Sequence, residues 1–184
     1  DNLNFKEKAG KYIDFLNANA YDKERDVRTN IAGEFQKSNL AAALQTAELI
    51  CGRLDEDKIY EALSQIRISG RMEEIAPGII VDVSHNIQGM QGFVQTVEAN
   101  YHGMKKRILF AASHQNEEEY MKNILKTIPE IEAFYTVGIH KRRIDEAEFQ
   151  DAFRKMIDRN QETTVCFVVG SFYLAGMAKE FINQ

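Results

Sequence analysis

The sequence predicts an α/β fold of Rossmann-like type, in which a mostly parallel sheet carries helices on both faces. Four apolar runs have the length of strands: residues 79–83, 107–112, 133–137 and 163–169. Helical patterns lie between and after these runs, at residues 86–100, 117–127, 145–160 and 172–182. Strands that alternate with helices and are apolar nearly throughout are typical of a parallel sheet buried on both faces. A short edge strand is predicted at residues 72–75.

The first third of the chain has a different pattern. Residues 38–50 are rich in Ala and Leu, and residues 58–66 place apolar side chains at helical spacing. We therefore predict two helices here, the first of them capped by Ser38. The chain is predicted to contain a helical piece of one domain at residues 1–67, followed by the α/β domain at residues 68–184.

Composition and charge argue against several classes of protein. The 184 residues are 44% hydrophobic and carry a formal net charge of −5, with acidic and basic residues interspersed. No nucleic-acid partner is expected, because proteins that bind phosphate backbones usually present a basic face. The apolar runs are too short to cross a membrane, so no membrane association is expected. Cys51 and Cys166 lie in apolar sequence without metal-ligand spacing, which predicts two buried thiols and a cytoplasmic protein.

Polar residues follow the predicted strands at the points where ligands bind in open parallel sheets. Asp82, His85 and Asn86 come at the end of the first long strand, directly before a helix whose free N–H groups favour an anion. Gly170 and Ser171 occupy the corresponding place after the last strand. These positions are the candidate site residues of the α/β domain.

Each of these residues also has a purely structural interpretation. Asp82 followed by Ser84 is compatible with a helix-capping turn, and His85 with a histidine that binds no ligand. For Ser171 an ordinary strand-to-helix connection is the favoured interpretation. The sequence contains no G-x-x-x-x-G-K-[ST] loop, no G-x-G-x-x-G after a strand and no G-x-S-x-G elbow. The residues alone therefore indicate a nucleotide-binding type of α/β domain and nothing finer.

Four segments, in one order, resemble folylpolyglutamate synthases and dihydrofolate synthases. IAGEFQKSNLAAAL at residues 31–44 is similar to the motif L-x-G-x-H-Q-x-x-N-x-x-x-A-L, and GRME at residues 70–73 is similar to P-G-R-x-E. IVDVSHN at residues 80–86 resembles the D-x-A-H-N motif that is shared across the Mur ligase superfamily. VVGSFYLAG at residues 168–176 resembles the late V-x-G-S-x-Y motif.

The resemblance implies that this is the C-terminal part of a larger enzyme. Such an enzyme has a central ATPase-type domain followed by a Rossmann-like domain of the Mur ligase C-terminal type, with ATP in the cleft between them. Residues 1–67 then correspond to the end of the central domain, and residues 68–184 to the C-terminal domain. The phosphate-binding loop and the Mg²⁺ ligands are expected before residue 1. The chain alone is therefore expected to be inactive and monomeric.

The resemblance also implies roles for individual residues. Expected nucleotide-binding residues are Gln36, Asn39, Asp82, His85 and Asn86, and no metal ligand is expected in this chain. Carboxamides three residues apart at a helix start suit the N6/N7 edge of adenine. Arg71 is expected to act as a fixed cation near the phosphates, and Ser171 to line the substrate side of the cleft.

The implied reaction is the ATP-dependent addition of glutamate to a folate through an acyl phosphate, with dihydropteroate as a further candidate acceptor. Ser69 stands where the motif has Pro, and the loops at residues 113–118 and 137–142 depart from the family pattern. These loops bear on the acceptor, so two alternatives stay open. One is a Mur-type ligase of cell-wall precursors, and the other is a non-catalytic nucleotide-binding module.

Overall fold

The computed structural model describes residues 7, 34–66, 68–140, 143–157 and 163–183. The chain divides into two compact units, Asp1–Ile68 and Ser69–Gln184. Two described helices belong to the first unit, and the sheet lies in the second. Among the described residues, no helix is both long enough and apolar enough to cross a membrane.

The first unit contains helix α1 (Glu34–Cys51) and helix α2 (Glu56–Gln65). Both predicted helices are thereby confirmed. The prediction that Ser38 caps the first helix is wrong, because Ser38 lies inside α1. The residues that precede it are mostly good helix formers, so the helix begins before the run rich in Ala and Leu.

The two helices share a small apolar core. Leu40, Ala41 and Leu44 of α1 form a buried cluster with Leu63 of α2. Asp55 caps α2, because its carboxylate accepts hydrogen bonds from the first backbone N–H groups of that helix. The cap explains why α2 begins two residues before the predicted start of its apolar pattern.

The second unit alternates strands and helices as predicted. In chain order its elements are β1 (Glu73–Ala76), β2 (Ile79–Asp82), α3 (Ile87–Asn100), β3 (Lys105–Phe110), a 3-10 turn (Gln115–Glu117), α4 (Glu118–Leu125), β4 (Ile131–Thr136), β5 (Ile139–His140), β6 (Arg143–Ile144), α5 (Glu146–Ile157), β7 (Thr164–Val169) and α6 (Phe172–Ile182). The β5–β6 hairpin was not predicted. It overlaps residues 137–142, for which the sequence predicted only a loop that departs from the family pattern.

Five strands form one sheet in the order β1-β2-β7-β3-β4. Strands β2, β7, β3 and β4 run parallel, and β1 pairs antiparallel with β2 at one edge. Strand β7 lies at the centre, where Val168 pairs with Val81 on one side and with Leu109 on the other. The predicted mostly parallel sheet is confirmed. The ends of β2, β7, β3 and β4 share one side of the sheet, which we call the carboxyl edge.

Helices cover both faces of the sheet, as the apolar strands predicted. Ile79 and Val81 point into a core shared with α5 and α6, whereas Ile80 points into a core shared with α3 and α4. This alternation follows from the two-residue period of a strand. All six residues of β7 are buried, which its central place requires.

Gly170 ends the central strand in a backbone conformation with φ of +105°. A Cβ atom at this position would lie 2.6 Å from the Ala111 carbonyl oxygen and 2.6 Å from the Phe110 ring. The Gly170 N–H also donates to the Asp82 carbonyl oxygen at 3.3 Å. Glycine therefore lets β2, β7 and β3 end side by side at the carboxyl edge.

The two cysteines differ, and the prediction that both are buried is wrong for Cys51. Cys51 is exposed at the last residue of α1, while Cys166 is fully buried in β7. Apolar neighbours in sequence do not ensure burial at a helix end, because only one stripe of a helix faces the core. Burial raises the pKa of the Cys166 thiol to about 11.

We expect an alkylating reagent at mildly alkaline pH to label Cys51 and to leave Cys166 unmodified. The thiolate is the reactive form, and Cys166 is both inaccessible and held protonated. Peptide mapping by mass spectrometry of the folded chain measures this. A Cys51→Ser variant should take up reagent only after denaturation. Labelling of Cys166 at the rate of Cys51 would contradict the buried placement.

We expect Gly170→Ala to lower the free energy of unfolding by about 2–4 kcal/mol. The positive φ and the forced contact with β3 each cost about 1–3 kcal/mol. Chemical denaturation measures the difference. Gly176→Ala is the matched control, because a Cβ there meets nothing within 4 Å and Gly176 is an exposed residue of α6. That variant should gain about 0.5–1 kcal/mol, and a comparable loss in both variants would refute the backbone argument.

Candidate functional site

The carboxyl edge gathers polar side chains that are buried. Asp82 at the end of β2 is 3% exposed, Ser84 just after it is 2% exposed, and Ser171 after β7 is 1% exposed. Buried polar groups need hydrogen-bond partners, so they mark places where the chain is built around a specific arrangement. Open parallel sheets bind ligands at this edge. The edge is therefore the candidate functional site.

Asp82 accepts hydrogen bonds through both carboxylate oxygens. Oδ1 accepts from the Ser84 N–H at 2.9 Å and the Ser84 hydroxyl at 2.5 Å, and Oδ2 accepts from the Met72 N–H at 3.0 Å. Burial raises the pKa of Asp82, while these donors and the Arg71 charge act in the opposite direction. The carboxylate thus organises the protein around it. A direct contact with a ribose stays a prediction.

A turn at residues 69–72, which we call the Arg71 turn, lies against the end of β2. Its Gly70 carbonyl oxygen accepts from the Val83 N–H at 2.8 Å, and a Cβ on Gly70 would lie 2.8 Å from Val83. Gly70 and Met72 have φ of +72° and +45°. Positive φ at a residue other than glycine is costly and recurs at functional sites. The turn is held in a specific, strained form.

The Arg71 guanidinium lies beside the buried Asp82 carboxylate and stays partly exposed. Nη1 is 3.9 Å from Asp82 Oδ1, and the Arg71 side chain is 30% exposed. At that distance the contact is electrostatic rather than a hydrogen bond. The structure therefore presents a partly exposed cation at the carboxyl edge, and its planar group of N–H donors suits a phosphate or carboxylate.

A second cluster holds the Arg71 turn from the other side. Glu73 Oε2 accepts from the Gly70 N–H at 2.6 Å and lies 2.6 Å from Lys179 Nζ. Lys179 also donates to the Ser69 hydroxyl at 2.6 Å. Burial alone raises the pKa of Glu73, but the bonds from Lys179 and Gly70 outweigh it and hold that pKa below its ordinary value. Glu73 is therefore a carboxylate engaged by the turn.

His85 and Asn86 follow β2 as predicted. His85 Nδ1 lies 3.0 Å from the Val83 carbonyl oxygen. A carbonyl only accepts, so Nδ1 carries the proton and Nε2 is the acceptor of the neutral ring. Asn86 caps α3, with Oδ1 accepting from the Gly89 N–H at 2.7 Å. The structural role of Asn86 is plain, and its contact with a nucleotide stays a prediction.

Ser171 serves as the cap of α6. Its hydroxyl oxygen accepts from the Tyr173 N–H at 3.1 Å. This is the strand-to-helix connection that the sequence favoured. Because the side chain is buried and accepts this bond, lining a substrate cleft stays a prediction for Ser171.

Two exposed aromatic side chains at this edge were missed by the sequence reasoning. Phe172 and Tyr173, in the first turn of α6, are 59% and 42% exposed. The Phe172 ring lies 5.3 Å from the His85 ring, centroid to centroid. Their place directly after a strand end was a usable signal. Lys179 was also missed, and no local signal points to it.

Two further predicted site residues belong to the first unit, and their nucleotide contacts stay predictions. Gln36 and Asn39 lie in α1 of the first unit; Asn39 is exposed, and the side chain of Gln36 lies outside the described residues. In the part of the chain that the structure describes, no three acidic, histidine or cysteine side chains come together as metal ligands.

We expect the stability that Glu73 contributes to disappear at low pH. Its folded-state pKa lies below the ordinary 4.5, so the contribution is complete above 4.5 and is lost as pH falls through the lowered value. Chemical denaturation at several pH values should show a shallower pH dependence for Glu73→Gln than for the wild type. Glu98→Gln, at an exposed position of α3, is the control. Identical slopes in all three proteins would contradict this role.

No protein-family model matches the chain. A curated relative is the dihydrofolate synthase/folylpolyglutamate synthase of Bacillus subtilis (strain 168), which is 23% identical over 109 residues. The match covers 56% of this chain and 25% of the relative. The chain therefore spans about a quarter of the length of this curated relative.

Solved structures that carry the names FPGS and FolC share the fold. The apo form of L. casei FPGS has a TM-score of 0.67 at 19% identity, covering 85% of this chain and 38% of that one. E. coli FolC in complex with DHPP and ADP has a TM-score of 0.67 at 16% identity, covering 80% and 39%. An FPGS-AMPPCP-folate complex has a TM-score of 0.64 at 21% identity, covering 82% and 37%.

The coverage is consistent with a C-terminal portion of such a chain, as the motif order predicted. In sequence and in fold, this chain resembles the folylpolyglutamate and dihydrofolate synthases.

Proposed function

We propose that this chain is the C-terminal part of a cytoplasmic, monomeric, ATP-dependent ligase that adds glutamate to a folate. The similar proteins carry the names of folylpolyglutamate synthases, and two of the similar structures are complexes with ADP and DHPP, or with AMPPCP and folate. In this proposal residues 1–67 belong to the central domain and residues 68–184 form the C-terminal domain.

The observation that carries the proposal is the Arg71 cation at the carboxyl edge. It is partly exposed, its backbone is placed by a strained turn, and its guanidinium lies 3.9 Å from a buried carboxylate. A fixed cation stabilises charge that develops during a reaction better than a mobile one, because it needs no reorganisation at that moment. A phosphoryl group is one of the anions that this arrangement suits, and we assign Arg71 to it.

The reaction requires that charge be stabilised on a phosphoryl group. A carboxylate oxygen of the acceptor attacks the γ-phosphorus of ATP, and ADP leaves. The amino nitrogen of glutamate then attacks the acyl carbon, the amide forms, the amine loses a proton, and phosphate leaves. Negative charge is spread over the phosphoryl oxygens in the first step. Arg71 is the residue of this chain that we assign to that charge.

Other residues of the edge are assigned to binding. Nε2 of His85 is an acceptor for a nucleotide hydroxyl or amine, and Asn86 lies at the N-terminus of α3, where backbone N–H groups favour an anion. Asp82 is assigned to the ribose and to holding the Arg71 turn. Gln36 and Asn39 are assigned to adenine, and Ser171 to the substrate side.

Magnesium ligands are not proposed in this chain. Within the described ranges no cluster of three or more His, Cys, Asp or Glu residues fits a metal site. Mg²⁺ neutralises phosphate charge in reactions of this kind. In the proposal, its ligands and the phosphate-binding loop belong to the part of the enzyme that this chain does not span.

We expect Arg71→Ala in the native enzyme to lower kcat for ADP release by about 10²–10³-fold, with a smaller change in KM for ATP. The cation acts mainly on charge that develops in the transition state. Arg154→Ala is the matched control. Arg154 is an exposed arginine in the last turn of α5, which in the chain precedes the start of β7 rather than its carboxyl end. Equal turnover of the wild type and Arg71→Ala would remove Arg71 from the mechanism.

The substrate is tested in the same assay. Glutamate is combined in turn with reduced folates, dihydropteroate and a UDP-linked muramyl precursor, and ADP is measured. Release that depends on a folate supports the proposal. Release with the muramyl precursor alone identifies a cell-wall ligase, and no release with any acceptor favours the non-catalytic module.

A further inference from the structure

We infer that Lys179, near the end of α6, is a positioning residue that holds the Arg71 turn in place through Glu73 and Ser69. The inference deepens the proposed function, because it rests on the assignment of Arg71 to the phosphates. Lys179 itself touches no reacting group in this scheme. Its effect on the reaction passes through the position of Arg71.

The contacts of Lys179 converge on the turn. Nζ lies 2.6 Å from Glu73 Oε2 and 2.6 Å from the Ser69 hydroxyl oxygen. The same Glu73 oxygen accepts from the Gly70 N–H at 2.6 Å. The Lys179 ammonium group thus binds both the Ser69 hydroxyl and the Glu73 carboxylate. The same carboxylate accepts the hydrogen bond from the Gly70 N–H. Because Arg71 follows directly, its backbone is fixed from this side.

The turn needs such support because its conformation is strained. Met72 has a positive φ of +45°, which a residue other than glycine keeps only where the surroundings over-determine it. Asp82 holds one side by accepting from the Met72 N–H at 3.0 Å. Lys179 and Glu73 hold the other side, so Arg71 stands between two anchors.

Ser69 takes part in this network at a position where the resembled motif has proline. The motif that residues 70–73 resemble begins with proline, whose ring restricts φ without any partner. Ser69 has no such ring, and it is held instead by the hydrogen bond from Lys179, 110 residues further along the chain. We assign to Lys179 the restraint that a proline would supply at this position.

A role of Lys179 in global stability alone does not explain why both of its partners lie at the Arg71 turn. Partly exposed ion pairs contribute little to global stability. Lys155 pairs with Asp151 at the same 2.6 Å, but these two residues lie four apart on one helix, α5. Lys179 differs because its partners lie in another part of the chain. Lys155 is therefore a matched control.

The first test is amide hydrogen exchange of the 184-residue chain. Lys179→Met should speed exchange of the Gly70 and Met72 N–H groups by about tenfold, because the Arg71 turn opens more often once the contacts of Lys179 are lost. Lys179→Arg should restore protection, and Lys155→Met should leave it unchanged. Unchanged Gly70 and Met72 rates in Lys179→Met would overturn the inference. Equal acceleration of the amides in β7 would also overturn it, because that shows only a global effect.

The second test uses ATP as the probe. Amide shifts near His85 are followed during ATP titration of the wild type, Lys179→Met, Arg71→Ala and the double variant. A positioning role predicts that Lys179→Met weakens ATP binding severalfold when Arg71 is present. In the Arg71→Ala background the same substitution should have no further effect. An equal effect in both backgrounds would overturn the inference. If ATP moves no signal of the wild type, weak ATP binding by this chain alone is wrong. The exchange experiment then still decides the role of Lys179, and the ADP-release assay of the native enzyme decides the proposed function.

Discussion

A carboxylate buried at the end of β2 is the constraint around which the carboxyl edge is arranged. Burying Asp82 is costly unless donors surround it. Those donors come from Ser84, two residues later, and from Met72, ten residues earlier. Satisfying one carboxylate therefore brings the chain before β1 back against the end of β2. Arg71 is placed as a consequence, with its cation next to the charge that required the arrangement.

Close approach of backbones is the second constraint at this edge. Gly70 lies against Val83, and Gly170 lies against the end of β3, each with positive φ. A side chain at either position would push the elements apart. Both glycines lie in segments that resemble family motifs, residues 70–73 and 168–176, and close backbone approach explains why glycine stands there. They allow a turn, a central strand and its neighbour to meet where a ligand is expected.

The described residues place a cation and exposed aromatic rings at the carboxyl edge, which the proposed function assigns to binding. Arg71, His85 and the exposed rings of Phe172 and Tyr173 lie on one edge, and no metal cluster occurs in the described part of the chain. The chain spans 38% of a solved enzyme with the same fold. In the proposed function these residues bind and orient the substrates, and the phosphate-binding loop belongs to another part of the enzyme.

The sequence by itself determined the type and order of the long elements, because apolar period and strand length are local properties. It also located Asp82, His85 and Gly170 at strand ends, since the end of an apolar run is visible in the chain. It could not show that β7 lies between β2 and β3, or that Cys51 is exposed. Nor could it show that Lys179 reaches Glu73. Those facts depend on which surfaces pack together, and residues more than a hundred positions apart become neighbours only in the tertiary structure.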